Sequence, residues 1–424
     1  MADKNKVLII GNGGREHALT WKISQSPGVS KIFCAPGNGG TQAQATNVPI
    51  NVSDVDGLLK FAKEQKIDLT IVGPELPLSL GIVNRFENEG LPIFGPSRQA
   101  AKIETSKVWA RKFLKKIGVP SPDFVIFDNS QEALSYVSGL PCCVVKADGL
   151  AGGKGAIVCE SPNQAKEAIQ KIMIAKDFGK AGKAIVVEEL LKGEETSVIA
   201  FCDGQKYCFL PCARDYKRAK DNDQGLNTGG MGAYAPSRYL SEADLDKIGF
   251  TIFQPVLDGF RKLGTPYKGV LYAGLMITKT DIKVLEFNAR FGDPETQVQL
   301  PLLESDLFEI ICACVEEDLD NSLVEFKDKA CMSVVLTSSG YPEKYETGKE
   351  ISGLNRELPQ DTLIFHAGTK KVAGKFITDG GRVLNIVAVD QTTAKAREKI
   401  YEIIGNPISF ANMVYRKDIG ISSL

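Results

Sequence analysis

Apolar and polar positions first alternate in two rhythms. Short apolar runs at 7–10, 31–34, 69–72 and 92–94 read as strands. Between them, 15–24, 55–65 and 78–89 read as amphipathic helices. Residues 1–103 thus alternate strand and helix, the pattern of a doubly wound parallel sheet. Ligands on such sheets sit beyond the carboxyl ends of the strands. Those ends are Gly11-Asn12-Gly13-Gly14, Ala35-Pro36-Gly37-Asn38, Gly73-Pro74-Glu75 and Gly95-Pro96, all glycine-bearing turns, so a cleft is expected at this edge.

The rhythm then changes. Residues 104–118 read as a helix that stops at Gly118-Val119-Pro120-Ser121-Pro122. From 123 to 189 the pattern is strand, helix, strand, glycine loop, strand, helix, strand. Residues 194–290 carry longer strands and a helix near 242–263, helices follow Pro294 to about 317, and 328–424 is strand-rich. The divisions expected are 1–103, then 104–122 with 190–327, then 123–189 as an inserted unit, and 328–424. At 424 residues the chain is too long for one core, which agrees with several domains.

Composition mainly excludes. The net charge of -1 gives no field to draw nucleic acid. The ten cysteines form no CxxC pair, and His17 and His366 are the only histidines, so a structural zinc site is not expected. Scattered cysteines in apolar strands suit free thiols in a reducing cytoplasm. No window reaches the ~20 apolar residues of a membrane span, and the run at 7–10 is too short for a signal peptide. A free-standing monomer in the cytoplasm is expected, with neither nucleic acid nor membrane as partner.

Several motifs carry candidate chemistry. Gly11-Asn12-Gly13-Gly14-Arg15-Glu16-His17 follows a strand and opens a helix. Glu16 occupies the third glycine position of a dinucleotide fingerprint, and no acid ends the second strand, which argues against NAD. A phosphate monoester at the helix start, beside Arg15, is the functional alternative to a simple tight turn. Lys146 lies on a strand feeding Ala147-Asp148-Gly149-Leu150-Ala151-Gly152-Gly153-Lys154-Gly155. Bare amides in such a flap can cover phosphates, although Gly155 stands where a Walker A loop needs Ser or Thr. Glu188 to Glu195 is a strand end running into an acidic turn, which by itself is more often solvated surface. Asp215-Tyr216-Lys217-Arg218 precedes Asn227-Thr228-Gly229-Gly230-Met231-Gly232-Ala233-Tyr234, a long irregular stretch of the kind that is often functional. In Glu286-Phe287-Asn288-Ala289-Arg290, alternation along a strand puts Glu286 and Asn288 on one face. A carboxylate and an amide oxygen suit Mg²⁺ beside phosphates, and Arg290 suits an oxyanion.

Lys146 with its flap, the Glu188–Glu195 turn and the Glu286/Asn288 strand resemble the ATP-grasp ligases. Gly13-Gly14-Arg15-Glu16-His17, Pro36-Gly37-Asn38, Gly73-Pro74-Glu75, Asn227 to Tyr234 and Arg290-Phe291-Gly292-Asp293-Pro294-Glu295 narrow the resemblance to the phosphoribosylamine–glycine ligase family. It runs from Val7 to Gly420. Gly152 and Ala156 replace the Ala and Val usual in the family's flap, and Tyr216 and Leu226 replace its usual His and Pro. The resemblance implies an α/β and α+β multidomain fold. The 1–103 sheet would bind the phosphoribosyl group, and 104–122 with 190–327 would form the ATP-grasp core. Residues 123–189 would form a mobile lid and 328–424 a small C-terminal domain. It implies ATP-dependent joining of glycine to 5-phosphoribosylamine through glycyl phosphate, with Mg²⁺, or Mn²⁺ in its place, on Glu286 and Asn288. Lys107, Lys146, Gly152, Gly153 and Lys154 would hold ATP phosphates, and Glu188, Glu189, Leu191 and Glu195 would frame adenosine. Arg290, Asp293, Asp215 and Lys146 would be catalytic. Asp215, Lys217, Gly230, Arg290 and Gly292 would contact glycine or the acyl phosphate. Gly13, Gly14, Arg15, Glu16, Asn38, Pro74 and Glu75 would take the phosphoribosyl group. The rivals are another ATP-grasp ligase, a nucleotide-dependent oxidoreductase on the first sheet, and a non-catalytic nucleotide-binding regulator.

Overall fold

The computed structural model describes residues 4–152 and 154–421. The N-terminal unit holds β1 (Asn5–Gly11), α1 (Gly14–Ile23), β2 (Val29–Pro36), β3 (Thr46–Asn47), α2 (Val55–Gln65), β4 (Leu69–Val72), α3 (Glu75–Leu80), α4 (Ile82–Glu87) and β5 (Ile93–Phe94). Its sheet is parallel, in the order β3-β2-β1-β4-β5, as the alternation predicted. The expected helix over 78–89 is instead two short helices. Gly81 separates them at φ 86°, a left-handed conformation that suits a residue without Cβ.

Two helices follow, α5 (Lys102–Thr105) and α6 (Lys107–Ile117). The single helix expected over 104–118 is broken at extended Ser106, whose side chain caps α6 through Trp109 N. The inserted unit comprises β6 (Phe124–Phe127), α7 (Ser130–Val137), β7 (Cys143–Ala147), β8 (Ala156–Cys159), α8 (Pro162–Ile169) and β9 (Ile185–Glu188), with sheet order β6-β9-β7-β8. It packs a core of its own, with Val145, Ala147, Ile185 and Val187 against Ala133, Val137, Ala165 and Ile169. A separate core makes it a packing unit of its own.

Next come β10 (Glu194–Asp203), β11 (Tyr207–Phe209), β12 (Arg214–Asp215), β13 (Arg218–Lys220), β14 (Gln224–Asn227), β15 (Gly232–Ala235), α9 (Glu242–Ile248), α10 (Gln254–Lys262), β16 (Lys268–Ile277) and β17 (Ile282–Asn288). The stretch expected to be irregular contains a β13–β14 hairpin. The remainder is α11 (Thr296–Gln299), α12 (Leu307–Glu316), β18 (Ala330–Thr337), β19 (Thr362–His366), β20 (Thr369–Val372), β21 (Lys375–Thr378), β22 (Arg382–Asp390) and α13 (Thr393–Ile403). The central sheet runs β11-β10-β16-β17, and a second runs β12-β15-β18-β22-β19. Backbone pairing between β15 and β18 therefore crosses the boundary expected at 327/328. The glycine-rich stretch 229–235 is built into the C-terminal sheet. Side chains from the N-terminal unit and the central sheet share one large core, and a second core adds C-terminal strands. Among the described residues, no helix is long and apolar enough to cross a membrane.

Candidate active site

The site is organised by a defect in β17. Gly274 pairs with Glu286 but Leu275 pairs with Val284, so Leu285 is an extra residue, a β-bulge. Ile282 and Val284 face the core before the bulge, and Phe287 and Ala289 face it after. The slip keeps Glu286, Asn288 and Arg290 on one cleft-facing row. It also frees the Leu285 carbonyl, which accepts from Lys146 Nζ at 2.8 Å and from Arg111 Nη2 at 2.6 Å.

Lys146 reaches this point from β7 of the inserted unit. Its ammonium lies 2.9 Å from Glu188, the last residue of β9. Arg111 of α6 grips the same carboxylate with Nε at 2.6 Å and Nη2 at 2.8 Å. Burial pushes Glu188 upward, but Lys146 and Arg111 together outweigh it and hold the carboxyl below its usual range. Burial is the larger effect on Lys146 and lowers it, with Glu188 opposing. Glu188 therefore serves this buried cluster with its side chain, where the sequence suggested an acidic turn. Glu189 binds Lys283 at 2.6 Å, Leu191 is half-buried, and exposed Glu195 lies 3.2 Å from Lys217.

Glu286 Oε2 accepts from Lys107 Nζ at 3.0 Å. Lys107 is the main cause of a carboxyl held far below its usual range, with Lys217 and Lys146 adding to it against burial. Asn288 is buried, with Oδ1 3.4 Å from Arg290 Nη2. Among the described residues, no three His, Cys, Asp or Glu side chains are grouped to hold a metal. An ionised Glu286 and the Asn288 amide oxygen fit Mg²⁺ or Mn²⁺ that shares its remaining positions with water and phosphate oxygens. Of the flap, Gly149 and Gly152 adopt φ 148° and 57°, and Lys154 Nζ donates to Pro342 O at 2.8 Å. Gly153 lies outside the described residues.

Arg290 is half-buried between acids. Its Nη2 is 3.3 Å from Glu104, and its Nε is 3.4 Å from Glu75 without hydrogen-bond geometry. Asp215 Oδ1 is buried with no hydrogen-bond partner. Burial first and Glu295 second push the Asp215 carboxyl well above its ordinary range, against Lys217 and Arg382. A buried polar atom without a partner is costly unless a ligand completes it. Glu295 is held by Tyr272 Oη at 2.6 Å. Gly230 passes next to Asp215 at φ 109°, and Gly292 folds over the Glu295 side chain.

The expected phosphoribosyl loops meet the same region. Glu16 Oε2 accepts from Gly13 N at 2.6 Å and its Oε1 binds Arg15 Nε at 2.6 Å. Arg15 Nη1 also donates to Phe291 O at 2.9 Å. Arg15 and Glu16 are thus buried parts of the loop's frame, while the amides of Gly14 and Arg15 remain first-turn donors. Asn38 donates to Asn12 O at 3.0 Å and to His366 O at 2.8 Å. Pro74 caps α3, which begins at Glu75.

Arg111, Glu104, Tyr272, Glu295 and Arg382 line this region without being among the residues expected from the sequence. Lys107 and Arg111 are four apart on one helix, a spacing that could have marked a shared cationic face. Arg382 had no local signal, because it reaches the site from the C-terminal sheet.

The comparisons with known proteins cover the same units. The phosphoribosylglycinamide synthetase N domain matches residues 5–104, the ATP-grasp (A) domain 105–296, and the C domain 331–422. A phosphoribosylamine–glycine ligase of Caldanaerobacter subterraneus is 48% identical over 98% of this chain and 99% of its own length. The trifunctional purine biosynthetic protein adenosine-3 of Gallus gallus is 46% identical over 100% of this chain, which spans only 42% of that relative. The crystal structure of phosphoribosylamine–glycine ligase from Thermotoga maritima superposes with TM-score 0.87 at 34% identity, covering 97% of this chain and 99% of that one. With all three domains matched in order around the cleft just described, the chain belongs to the phosphoribosylglycinamide synthetase family.

Proposed function

We propose that this chain ligates glycine to 5-phosphoribosylamine with ATP, giving glycinamide ribonucleotide, ADP and phosphate in de novo purine biosynthesis. The glycine carboxylate, a poor acyl donor, attacks the γ-phosphorus of ATP, and ADP leaves. The amine nitrogen then attacks the carbonyl carbon of glycyl phosphate, loses a proton and expels phosphate. Side chains have little covalent work in such a sequence, and they act by positioning and by neutralising charge.

Lys107, Lys146, Lys154 and the Gly152-Gly153 amides would hold the ATP phosphates. Glu188, Glu189, Leu191 and Glu195 would frame adenosine, Glu188 through the buried cluster that fixes the strand end. Glu286 and Asn288 would carry Mg²⁺, or Mn²⁺, which when bound neutralises charge on the phosphate oxygens. Arg290, Asp293, Asp215, Lys217, Gly230 and Gly292 would orient glycine and the acyl phosphate. Gly13, Gly14, Asn38, Pro74 and Glu75 would receive the phosphoribosyl group, with Arg15 and Glu16 shaping the loop. The enzyme would act as a cytoplasmic monomer on small-molecule substrates.

One observation supports this reading above the others. Lys107, against burial, and then Lys217 and Lys146 hold Glu286 ionised, and Asp215 Oδ1 is buried without a hydrogen-bond partner. The test is phosphate release from ATP with chemically generated phosphoribosylamine, glycine present or omitted. Release should require glycine. Glu286→Gln should lower kcat by about a hundredfold or more with its circular dichroism unchanged. Glycine-independent release, or near-normal kcat for Glu286→Gln at saturating Mg²⁺, would refute it.

A further inference from the structure

We propose that Arg382, delivered by the C-terminal sheet, is a positioning residue of the acyl-transfer centre. The inference rests on the placement of Asp293 and the Gly229-Gly230 turn in that centre. Arg382 opens β22 and points into the cleft, with its side chain 21% exposed. Its Nη1 donates to Gly229 O at 2.5 Å and to Asp293 O at 2.9 Å, and its Nη2 lies 3.2 Å from Asp293 Oδ2. All three acceptors belong to the two loops that border Asp215 and Arg290. By contrast, Arg416 is fully buried and spends its guanidinium on Asp223 and Asp418, away from the cleft.

The geometry requires a guanidinium. Three acceptors from two chain segments converge on one planar fork, which an ammonium cannot match. A Cβ on Gly229 would stand 3.0 Å from the guanidinium carbon, so the bare Cα lets Arg382 approach without being pushed back by a few tenths of an ångström. A second C-terminal side chain completes the grip, because Gly229 N donates to Tyr341 Oη at 2.9 Å. Both polar atoms of the Gly229 backbone are therefore held from the C-terminal domain. That fixes the path of Gly230, whose Cα borders Asp215.

Asp293 is oriented the same way. Its Oδ1 accepts from Gln297 Nε2 at 2.7 Å, and Arg382 takes the Oδ2 side. A Cβ on Gly13 would lie 3.2 Å from that Oδ2, so the carboxylate stands where the N-terminal glycine loop meets the acyl site. Arg382 is also the leading charge that holds Asp293 below its usual range against burial. Removing Arg382 would loosen both the Gly229 turn, left with Tyr341, and Asp293, left with Gln297, while leaving Lys107, Lys146 and Glu286 untouched.

The test uses the full chain with Arg382→Ala, Arg382→Lys, Tyr341→Phe and Asp293→Asn. Arg382→Ala should lower kcat/KM for glycine and phosphoribosylamine by about a hundredfold, the scale of a small misplacement of reacting groups. Nucleotide affinity by calorimetry should stay within about twofold, since no phosphate contact is lost. Millimolar guanidinium should restore Arg382→Ala by about tenfold and leave Glu286→Gln unrestored, a response that a scaffold role would not give. Arg382→Lys should regain less than about a tenth of the lost activity. If Arg382→Ala does not fold, Arg382→Lys and Tyr341→Phe carry the test through the same split between acyl-transfer kinetics and nucleotide affinity. Variants with wild-type kcat/KM, or equal losses in nucleotide affinity with no guanidinium rescue, would overturn the proposal. Asp293→Asn separates the two levels. Full activity there removes Asp293 from the centre and the role of Arg382 with it. Lost activity there beside normal Arg382 variants overturns the role of Arg382 alone.

Discussion

Two buried carboxylates separate stability from function. Glu188 is closed on three sides by donors from Arg111 and Lys146. Asp215 Oδ1 has none. Removing one member of a buried, paired charge cluster strands its partners, so Glu188→Gln should cost about 3–5 kcal/mol. Asp215→Asn removes a charge that burial already disfavours, so its unfolding midpoint in urea should equal or exceed that of wild type while turnover collapses. Urea titrations of both variants beside kcat/KM decide this; a destabilised Asp215→Asn would show that Asp215 has a hidden structural partner. Sequence marked Lys146 and Asp215 as residues of interest, because a lysine before a glycine flap and an acid before a glycine-rich stretch are local patterns. It could not supply Arg111 as the partner of Glu188, since 77 positions separate them.

At the scale of elements, glycine placement decides geometry. Gly230 sits at φ 109°, where a Cβ would collide with Pro294 and come within 2.7 Å of Asp215 Oδ1. Gly264, at φ 70°, has nothing within 4 Å of such a Cβ. Both positions strain an alanine by about 1–3 kcal/mol. Only Gly230→Ala should also displace Asp215, so its turnover should fall more than about tenfold while Gly264→Ala keeps its activity. Thermal melts paired with initial rates make the comparison; equal activity in the two variants would remove the special role of the 229–232 turn. Helix and strand positions were largely legible from periodicity. The break at Gly81 and the bulge at Leu285 were not, because each depends on how a segment packs rather than on its apolar spacing. The bulge matters most, since it releases the carbonyl that anchors Lys146 and Arg111.

For the whole molecule, the two histidines of the chain meet where the N-terminal and C-terminal units join. His17 Nδ1 accepts from His366 N at 2.8 Å, and the rings lie 5.5 Å apart. Burial, then the neighbouring His366, lowers His17 to about 3, and burial lowers His366 to about 4. Each is neutral in the fold but protonates near pH 6.5 when unfolded. Their contribution is complete above pH 6.5 and is lost as pH falls toward about 4 and 3. The loss is at most about 1.4 kcal/mol per pH unit for each ring. Urea midpoints between pH 7 and 4.5 should fall, and His17→Gln should flatten that slope; an unchanged slope would mean that other groups dominate. Sequence alone determined the parallel N-terminal sheet, the strand and helix order of the inserted unit, the Glu286–Asn288 face and the family resemblance, because periodicity and short motifs are local properties of a chain. Only the tertiary structure decided that β15 pairs with β18, that Glu188 lies in a buried cation cluster, and that Arg382 reaches Asp293. Those contacts join segments distant in the chain, and they form only when separate cores pack together around one cleft.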